Sequence, residues 1–193
     1  MKNYIKVNEV EQLHTPRMTI VEVTYISSDG DKITHTIVRS KPSVAVIVLN
    51  KDNQIALIKQ FRTTTGQWYY ELPAGLIEEG ENIFDAAKRE VAEEAGLSIT
   101  DLRKVSFGPN LLDPSKSDED FGVVVAHLNG EIQKKFDEQE RINDVEWIGL
   151  KQAYYHLQGQ MRYGVPFKDG LFMSGHSRDA LIAYNFTENY TLR

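Results

Sequence analysis

The chain has 193 residues, of which 41% are hydrophobic and 26% charged, and its net charge is −6. That suits one domain, or one domain with an appended arm, with enough apolar content for a core. The acid excess excludes a nucleic-acid groove, which needs a basic stripe, but not a nucleotide substrate, because bound cations can bridge acid to phosphate. There are no cysteines, so a disulfide framework, a thiol nucleophile and Cys-ligated zinc are excluded. No apolar run is long enough to span a membrane, and Met1-Lys2-Asn3-Tyr4 lacks a signal peptide's apolar core, so the expectation is a cytoplasmic protein with no membrane partner.

Residues 1 to about 40 read as an arm of strands. Thr19–Ile26 and Lys32–Val38 alternate apolar with polar residues, and Ser28-Asp29-Gly30-Asp31 between them has hairpin-turn chemistry. Such a pair is too small to stand alone and must pack on the main domain or on a second copy of the chain. Pro42 ends the arm. Ser43–Leu49 is a continuous apolar run and predicts a buried strand, with Lys51-Asp52-Asn53 as a turn and Gln54–Gln60 as the partner strand. Trp68–Leu72 predicts a short strand leading to Pro73-Ala74-Gly75. A helix follows, with Asn82 as N-cap, Gly96 as left-handed C-cap, and Phe84, Ala87, Val91 and Ala95 as one apolar stripe. Then come a strand over Leu102–Phe107, a long loop over Gly108–Asp120 and a strand over Phe121–Leu128. A polar loop over Lys134–Asn143, a strand over Val145–Ile148, and helices over Lys151–Gln158 and Arg178–Phe186 complete the chain. Helices alternating with mostly apolar strands predict an α/β layered domain with a mixed sheet.

The chemistry concentrates in Gly75–Leu97. Residues Glu78 to Glu94 hold seven acids against two bases, and Glu90 and Glu94 stand four apart on a helix, where like charges repel. One explanation is a solvated acidic face; the other is a site for a hard cation such as Mg²⁺, which takes oxygen ligands from a few carboxylates and from substrate phosphate. The spacing favours the second. Gly75, Glu81, Arg89, Glu90, Val91, Glu93, Glu94, Gly96 and Leu97 fit G-x5-E-x7-R-E-U-x-E-E-x-G-U, with U aliphatic. This resembles the Nudix box with every fixed position occupied. The resemblance covers roughly residues 42 to 150 and implies an α/β/α sandwich with a mixed sheet. Here that sandwich is preceded by an N-terminal β arm: an arm over 1–41 serving dimerisation and closure of the substrate site, then a hydrolase domain over 42–193 with its C-terminal helix.

Gln60-Phe61-Arg62 and Glu71-Leu72-Pro73-Ala74-Gly75, with the arm, resemble the ADP-ribose pyrophosphatase and nucleoside-diphosphate-sugar branch of that family. The resemblance implies Arg62 as a substrate-binding group, and a guanidinium does match paired phosphate oxygens; a strand-end ion pair is the alternative. It implies metal ligands at the Ala74 carbonyl, Glu90 and Glu94, with Glu93 and Glu81 assisting and Arg89 orienting the carboxylates. Glu78 and Glu79 read as solvated loop charges. Pro114 followed by Ser117-Asp118-Glu119 is similar to the branch's loop beside the terminal ribose, which makes Glu119 a substrate-binding candidate; the branch's Pro-Gly pair is here Pro114-Ser115. Glu138 and Glu140 resemble the branch's Glu-x-Glu loop, implying Glu138 as catalytic base and Glu140 as a metal ligand, with the roles exchangeable and a solvated loop as the alternative. Metal-bound box carboxylates are poor bases, because a nearby cation lowers their pKa. Trp68, Tyr69 and Tyr70 read as a core strand or as an aromatic face for a base. The histidines show no metal-ligand spacing.

The resemblance thus implies a Mg²⁺-dependent hydrolase, with Mn²⁺ as the alternative ion. It would cut the diphosphate of a nucleotide sugar, most simply ADP-ribose to AMP and ribose 5-phosphate, and would act as a homodimer. GDP-mannose or another nucleotide sugar is the nearest rival substrate. A non-catalytic ADP-ribose sensor is the rival of a different class, disfavoured by the intact box and the scarcity of basic residues near the C-terminus.

Overall fold

The computed structural model describes residues 2–105, 115–131 and 142–190. They form two compact units, residues 2–43 with 115–121, and residues 44–105 with 122–131 and 142–190.

The N-terminal unit holds a three-stranded antiparallel sheet of β1 (Tyr4–His14), β2 (Met18–Ser27) and β3 (Lys32–Ser40) in that order. The expected hairpin is β2–β3, in register from Met18 opposite Ser40 to Ile26 opposite Lys32. β1 is an addition that alternation did not reveal. Its pairing with β2 slips between Lys6 and Asn8 and between Glu11 and Leu13, and each slip resets which face a residue takes. Every residue of β1 is exposed. The segment Ser115–Asp120 runs beside β3, with the Val38 N–H donating to the Lys116 carbonyl at 2.8 Å and the Asp118 N–H to the Val38 carbonyl at 3.2 Å.

The second unit is built on a larger sheet that mixes antiparallel and parallel pairs. Its strands are β4 (Ser43–Leu49), β5 (Gln54–Arg62), β6 (Gln67–Glu71), β7 (Ala74–Leu76), β8 (Leu97–Val105), β9 (Phe121–Glu131), β10 (Ile142–Gly149) and β11 (Phe172–Met173). The main path runs β11-β6-β5-β4-β9-β8; β10 pairs with β5 and β7 with β4. The β5–β6 hairpin is antiparallel and β11 joins β6 in parallel. β4 is buried from Val44 to Leu49, as a strand covered on both faces must be, and each of its Val, Ile and Leu side chains contributes about 1.5–3 kcal/mol of burial. An α/β fold with a mixed sheet and a preceding β arm is the architecture the sequence predicted.

Helix α1 (Ile83–Glu90) is followed by one π-helical turn, Val91–Ala95. Asn82 caps it through its side-chain oxygen, which accepts from the Phe84 and Asp85 N–H groups at 2.9 and 3.1 Å, worth about 0.5–2 kcal/mol. Gly96 ends it in the left-handed region, at φ 66°. The buried face is Ala86, Ala87, Val91 and Ala95, packed with Val44, Val46, Val48, Ala56, Ile58, Val124 and Ala126. Phe84, expected in this stripe, is exposed; it sits in the first turn, and Ala86 takes the core position instead. Helices α2 (Leu150–Tyr163) and α3 (Gly175–Tyr190) begin earlier and end later than the sequence suggested. Ser177 of α3 is buried, and its hydroxyl oxygen accepts the Leu72 N–H at 2.8 Å, fixing the chain just before Ala74.

Candidate active site

The centre of the site is the passage of β7 beneath the end of α1. Glu90 and Glu94 are 5% and 3% exposed, unusual burial for carboxylates. The Ala74 N–H donates to Glu94 Oε2 at 2.8 Å. A Cβ built on Gly75 would overlap the carboxyl carbon and both carboxyl oxygens of Glu90, and Gly75 has no left-handed φ to explain it. The box glycine is thus a requirement of space: the Glu90 carboxyl lies where a side chain would be. The π-helical turn carries Glu93 and Glu94, and such turns are frequent at functional sites.

Arg89 holds the acids together. Its Nε and Nη2 donate to the two oxygens of Glu81 at 3.0 and 2.9 Å, its Nη1 to Glu90 at 2.6 Å and Glu93 at 3.2 Å, and its Nη2 also to the Leu76 carbonyl. The hydrogen bonds from Arg89 keep the Glu81 carboxyl below its usual range, against the opposing effect of burial. The same Glu81 contact raises the Arg89 pKa, again against burial. Glu81 also accepts the Glu78 N–H at 3.0 Å, which closes the loop ahead of α1. Glu78 and Glu79 are exposed, as expected of loop charges.

Three carboxylates, those of Glu81, Glu90 and Glu93, therefore share one guanidinium, and a fourth, that of Glu94, accepts the Ala74 N–H. Two of them are buried, and the Ala74 backbone passes beside them. An oxygen-rich, negatively charged, partly desolvated set of this kind fits a hard divalent cation. Among the described residues no three histidine or carboxylate side chains converge at metal-ligand spacing. The expected ligand set adds a backbone carbonyl and Glu140. Glu138 and Glu140, with the loop that carries them, lie outside the described residues, as do Pro109 and Pro114.

Arg62 ends β5 and forks onto Glu71 of β6, with Nε to Oε1 at 2.8 Å and Nη2 to Oε2 at 2.6 Å. Its side chain is 45% exposed while that of Glu71 is 4% exposed, so a buried carboxylate fixes the plane of a half-exposed guanidinium. Sequence reasoning gave Glu71 no role; the signal was the hairpin register, which puts Arg62, Gln60 and Glu71 on one face. Glu119 belongs to the N-terminal unit, where its Oε1 accepts from the Ser43 hydroxyl at 3.1 Å and its N–H donates to Ser117 Oγ at 3.0 Å.

The aromatic strand divides. Tyr70 is fully buried, and Trp68 is exposed and packed edge-on against Phe61 at 5.6 Å. Tyr70 meets Glu146, Asp169, Lys59 and Lys168 in a polar knot away from the box. Burial pushes the Glu146 carboxyl up, but Lys168, Lys59 and the Tyr70 hydroxyl pull it down further, to about 2.

The fold and the Gly75–Leu97 element together define a hydrolase of the Nudix type. A model of the NUDIX domain matches residues 39–168, and the chain belongs to the Nudix family. It is 30% identical to the ADP-ribose pyrophosphatase of Bacillus subtilis (strain 168) over 137 residues, 70% of this chain and 72% of that protein. It is 35% identical to the ADP-ribose pyrophosphatase of Escherichia coli (strain K12) over 116 residues, which spans about half of each protein, 55% and 54%. A methanol dehydrogenase activator from Bacillus methanolicus is 28% identical over 162 residues, 82% of this chain and 85% of that one. The crystal structure of an ADP compounds hydrolase is similar in fold, with a TM-score of 0.72 at 21% identity over 98% of this chain and 97% of that chain. Nudix hydrolases generally work with divalent metal ions on small nucleotide substrates. No helix among the described residues is long and apolar enough to cross a membrane.

Proposed function

We propose that the chain is a Mg²⁺-dependent pyrophosphohydrolase that converts ADP-ribose to AMP and ribose 5-phosphate. The observation that carries this is the pair of buried carboxylates, Glu90 and Glu94, seated against Gly75 and the Ala74 N–H. Burying that much negative charge around one arginine is costly unless a cation joins it. Relatives named ADP-ribose pyrophosphatases support the choice of substrate.

Glu90, Glu94, the Ala74 carbonyl and Glu140 are the groups that would hold the ion. When bound, the ion neutralises the diphosphate and lowers the pKa of the attacking water. The water oxygen joins one phosphorus and the other phosphate leaves in line. The chain's own side chains then divide the work. Arg62, held flat by Glu71, forks onto a diphosphate oxygen pair. Glu119 binds substrate. Glu138 takes the water proton, and Glu93, tied to Arg89, assists beside the metal ligands. Mn²⁺ is the alternative ion.

The arm, residues 1–41, serves a homodimer in this proposal and helps close the substrate site, with residues 42–193 as the hydrolase domain. Its support is β1, an edge strand whose Ile5, Val7, Val10 and Leu13 side chains are all exposed; a long exposed apolar edge is unfavourable in a lone monomer. Light scattering should give twice the chain mass, and a fully active monomer at assay concentration would refute the assembly.

The test of substrate is a panel of ADP-ribose, GDP-mannose, NADH, ADP-glucose and FAD at one enzyme concentration, compared by kcat/KM. ADP-ribose should lead. GDP-mannose in first place would transfer the assignment to that substrate. No turnover of any member with Mg²⁺ or Mn²⁺ would defeat the proposal.

A further inference from the structure

The strongest structural tie to the Ser115–Asp120 segment is a carboxylate that no catalytic role requires. Asp118 Oδ2 accepts from Arg39 Nη1 at 2.7 Å, and Asp118 Oδ1 accepts the Ser40 N–H at 3.1 Å. Both oxygens are therefore committed to the end of β3. Arg39 is held in turn from β1: its Nη2 and Nε reach the two oxygens of Glu9 at 2.9 and 3.4 Å, and Glu9 also accepts from Lys6. Arg39 is the main reason the Glu9 carboxyl sits at about 2. The backbone repeats the tie, with the Val38 N–H on Lys116 and the Asp118 N–H on Val38. The next residue is Glu119, whose carboxyl accepts from the Ser43 hydroxyl and whose N–H donates to Ser117 Oγ. Arg39, Ser115, Ser117 and Asp118 also wall a cavity of about 470 Å³ whose inner side includes Val23 and Ile37.

We propose that Asp118 is a positioning residue. With Arg39 it fixes the register of the segment against β3, so that the Glu119 carboxylate is presented in one place. This rests on the proposal that Glu119 binds substrate. The physical reason is a matter of register. One residue of slip along β3 carries the Glu119 carboxyl about 3.3 Å from its place, and a backbone bridge of two hydrogen bonds does not by itself forbid that slip. A carboxylate pinned at both oxygens does, because any slip breaks the bonds from Arg39 Nη1 and the Ser40 N–H together. A contact that Glu119 makes equally in the ground state and the transition state affects KM and not kcat.

The experiment compares wild type, Asp118→Asn, Glu119→Gln and the double variant on ADP-ribose with Mg²⁺. Asparagine keeps the size and one acceptor but loses the charge-assisted bond to Arg39. The side chains of Arg39 and Asp118 are about a third exposed, so the effect is that of a partly screened pair. Asp118→Asn should raise KM about 3- to 10-fold with kcat changed less than about 2-fold. In the Glu119→Gln background it should add little, because its effect passes through Glu119. A fall in kcat at constant KM, or full additivity with Glu119→Gln, would overturn the proposal. Amide hydrogen exchange gives a second readout independent of turnover. Asp118→Asn should speed exchange at Val38, Ser40 and Glu119 by about 10-fold or more while the melting temperature changes little. Unchanged exchange at those amides overturns the positioning role even if the wild type hydrolyses nothing. Absent wild-type turnover alone counts against the proposed function, not against the clamp.

Discussion

Replacing Gly75 with alanine should damage the site through one contact. A Cβ at this position overlaps the Glu90 carboxyl, and real Cβ atoms essentially never come within 3.0 Å of a neighbour. The Glu90 carboxyl is the end of a flexible side chain, but it is buried and Arg89 Nη1 holds it at 2.6 Å. It can move only by giving up that bond and its place beside β7. The cost of forcing extra volume into such a site is about 1–3 kcal/mol, which for a chain of this size lowers Tm by roughly 2–12 °C. The displaced carboxylate should also bind the cation poorly. Wild-type protein should gain Tm with Mg²⁺ by mass action, about 2.7 kcal/mol at 100 times Kd, and Gly75→Ala should lose most of that gain. Differential scanning calorimetry with Mg²⁺ and with chelator measures both. A coupling test isolates the cause: in a Glu90→Ala background there is room for the new Cβ, so Gly75→Ala should cost less than about 1 kcal/mol. A Gly75→Ala protein with wild-type Tm and wild-type Mg²⁺ response would refute the close-packing argument.

Glu94→Gln keeps an acceptor for the Ala74 N–H, so the fold should survive while most turnover and much of the Mg²⁺-induced Tm gain disappear; a fully active variant would remove Glu94 from the site. Glu138→Gln should lower kcat by about 10²–10⁴, the usual range for a lost general base, with KM little changed, whereas Glu140→Gln should weaken the dependence on Mg²⁺. If both keep wild-type kcat from about pH 6 to 9, the base is elsewhere, with Glu93 or Glu119 next. Glu146 has a folded pKa depressed to about 2 from 4.5, so its contribution to stability is present above about 4.5 and is lost as pH falls through about 2. Glu146→Gln should therefore be less stable than wild type at neutral pH, and the gap in urea midpoint should close as pH falls across that window; a constant gap would contradict the assignment.

The box was legible because its information is local. Asn82, Gly96 and the Glu90–Glu94 spacing act over one helix, so cap, stop and acid face could be read from neighbours in sequence. What the sequence hid depends on distance. The contact of Gly75 with Glu90 is a packing fact about two elements that only the fold brings together. Arg39 and Asp118 are 79 residues apart, and Tyr70 and Asp169 are 99 apart; no periodicity reports such pairs. β1 is not legible in the sequence because two register slips break the alternation that marks a strand. Spacing alone puts Phe84 in the apolar stripe, yet the helix turns Ala86 inward there, since an apolar residue in a first turn can face solvent. Arg62 was legible as a candidate for phosphate, but the buried Glu71 that holds it is visible only once the hairpin register is known.

The most direct test of the central claim is the release of AMP and ribose 5-phosphate from ADP-ribose by the wild-type protein, followed with Mg²⁺ and with excess chelator. The account predicts equal amounts of the two products with Mg²⁺, a fall of about 10³-fold or more when the ion is removed, within the range that metal and charge stabilisation supply, and recovery when it is restored. The same rate in chelator, or binding of ADP-ribose with no product in either condition, would contradict it.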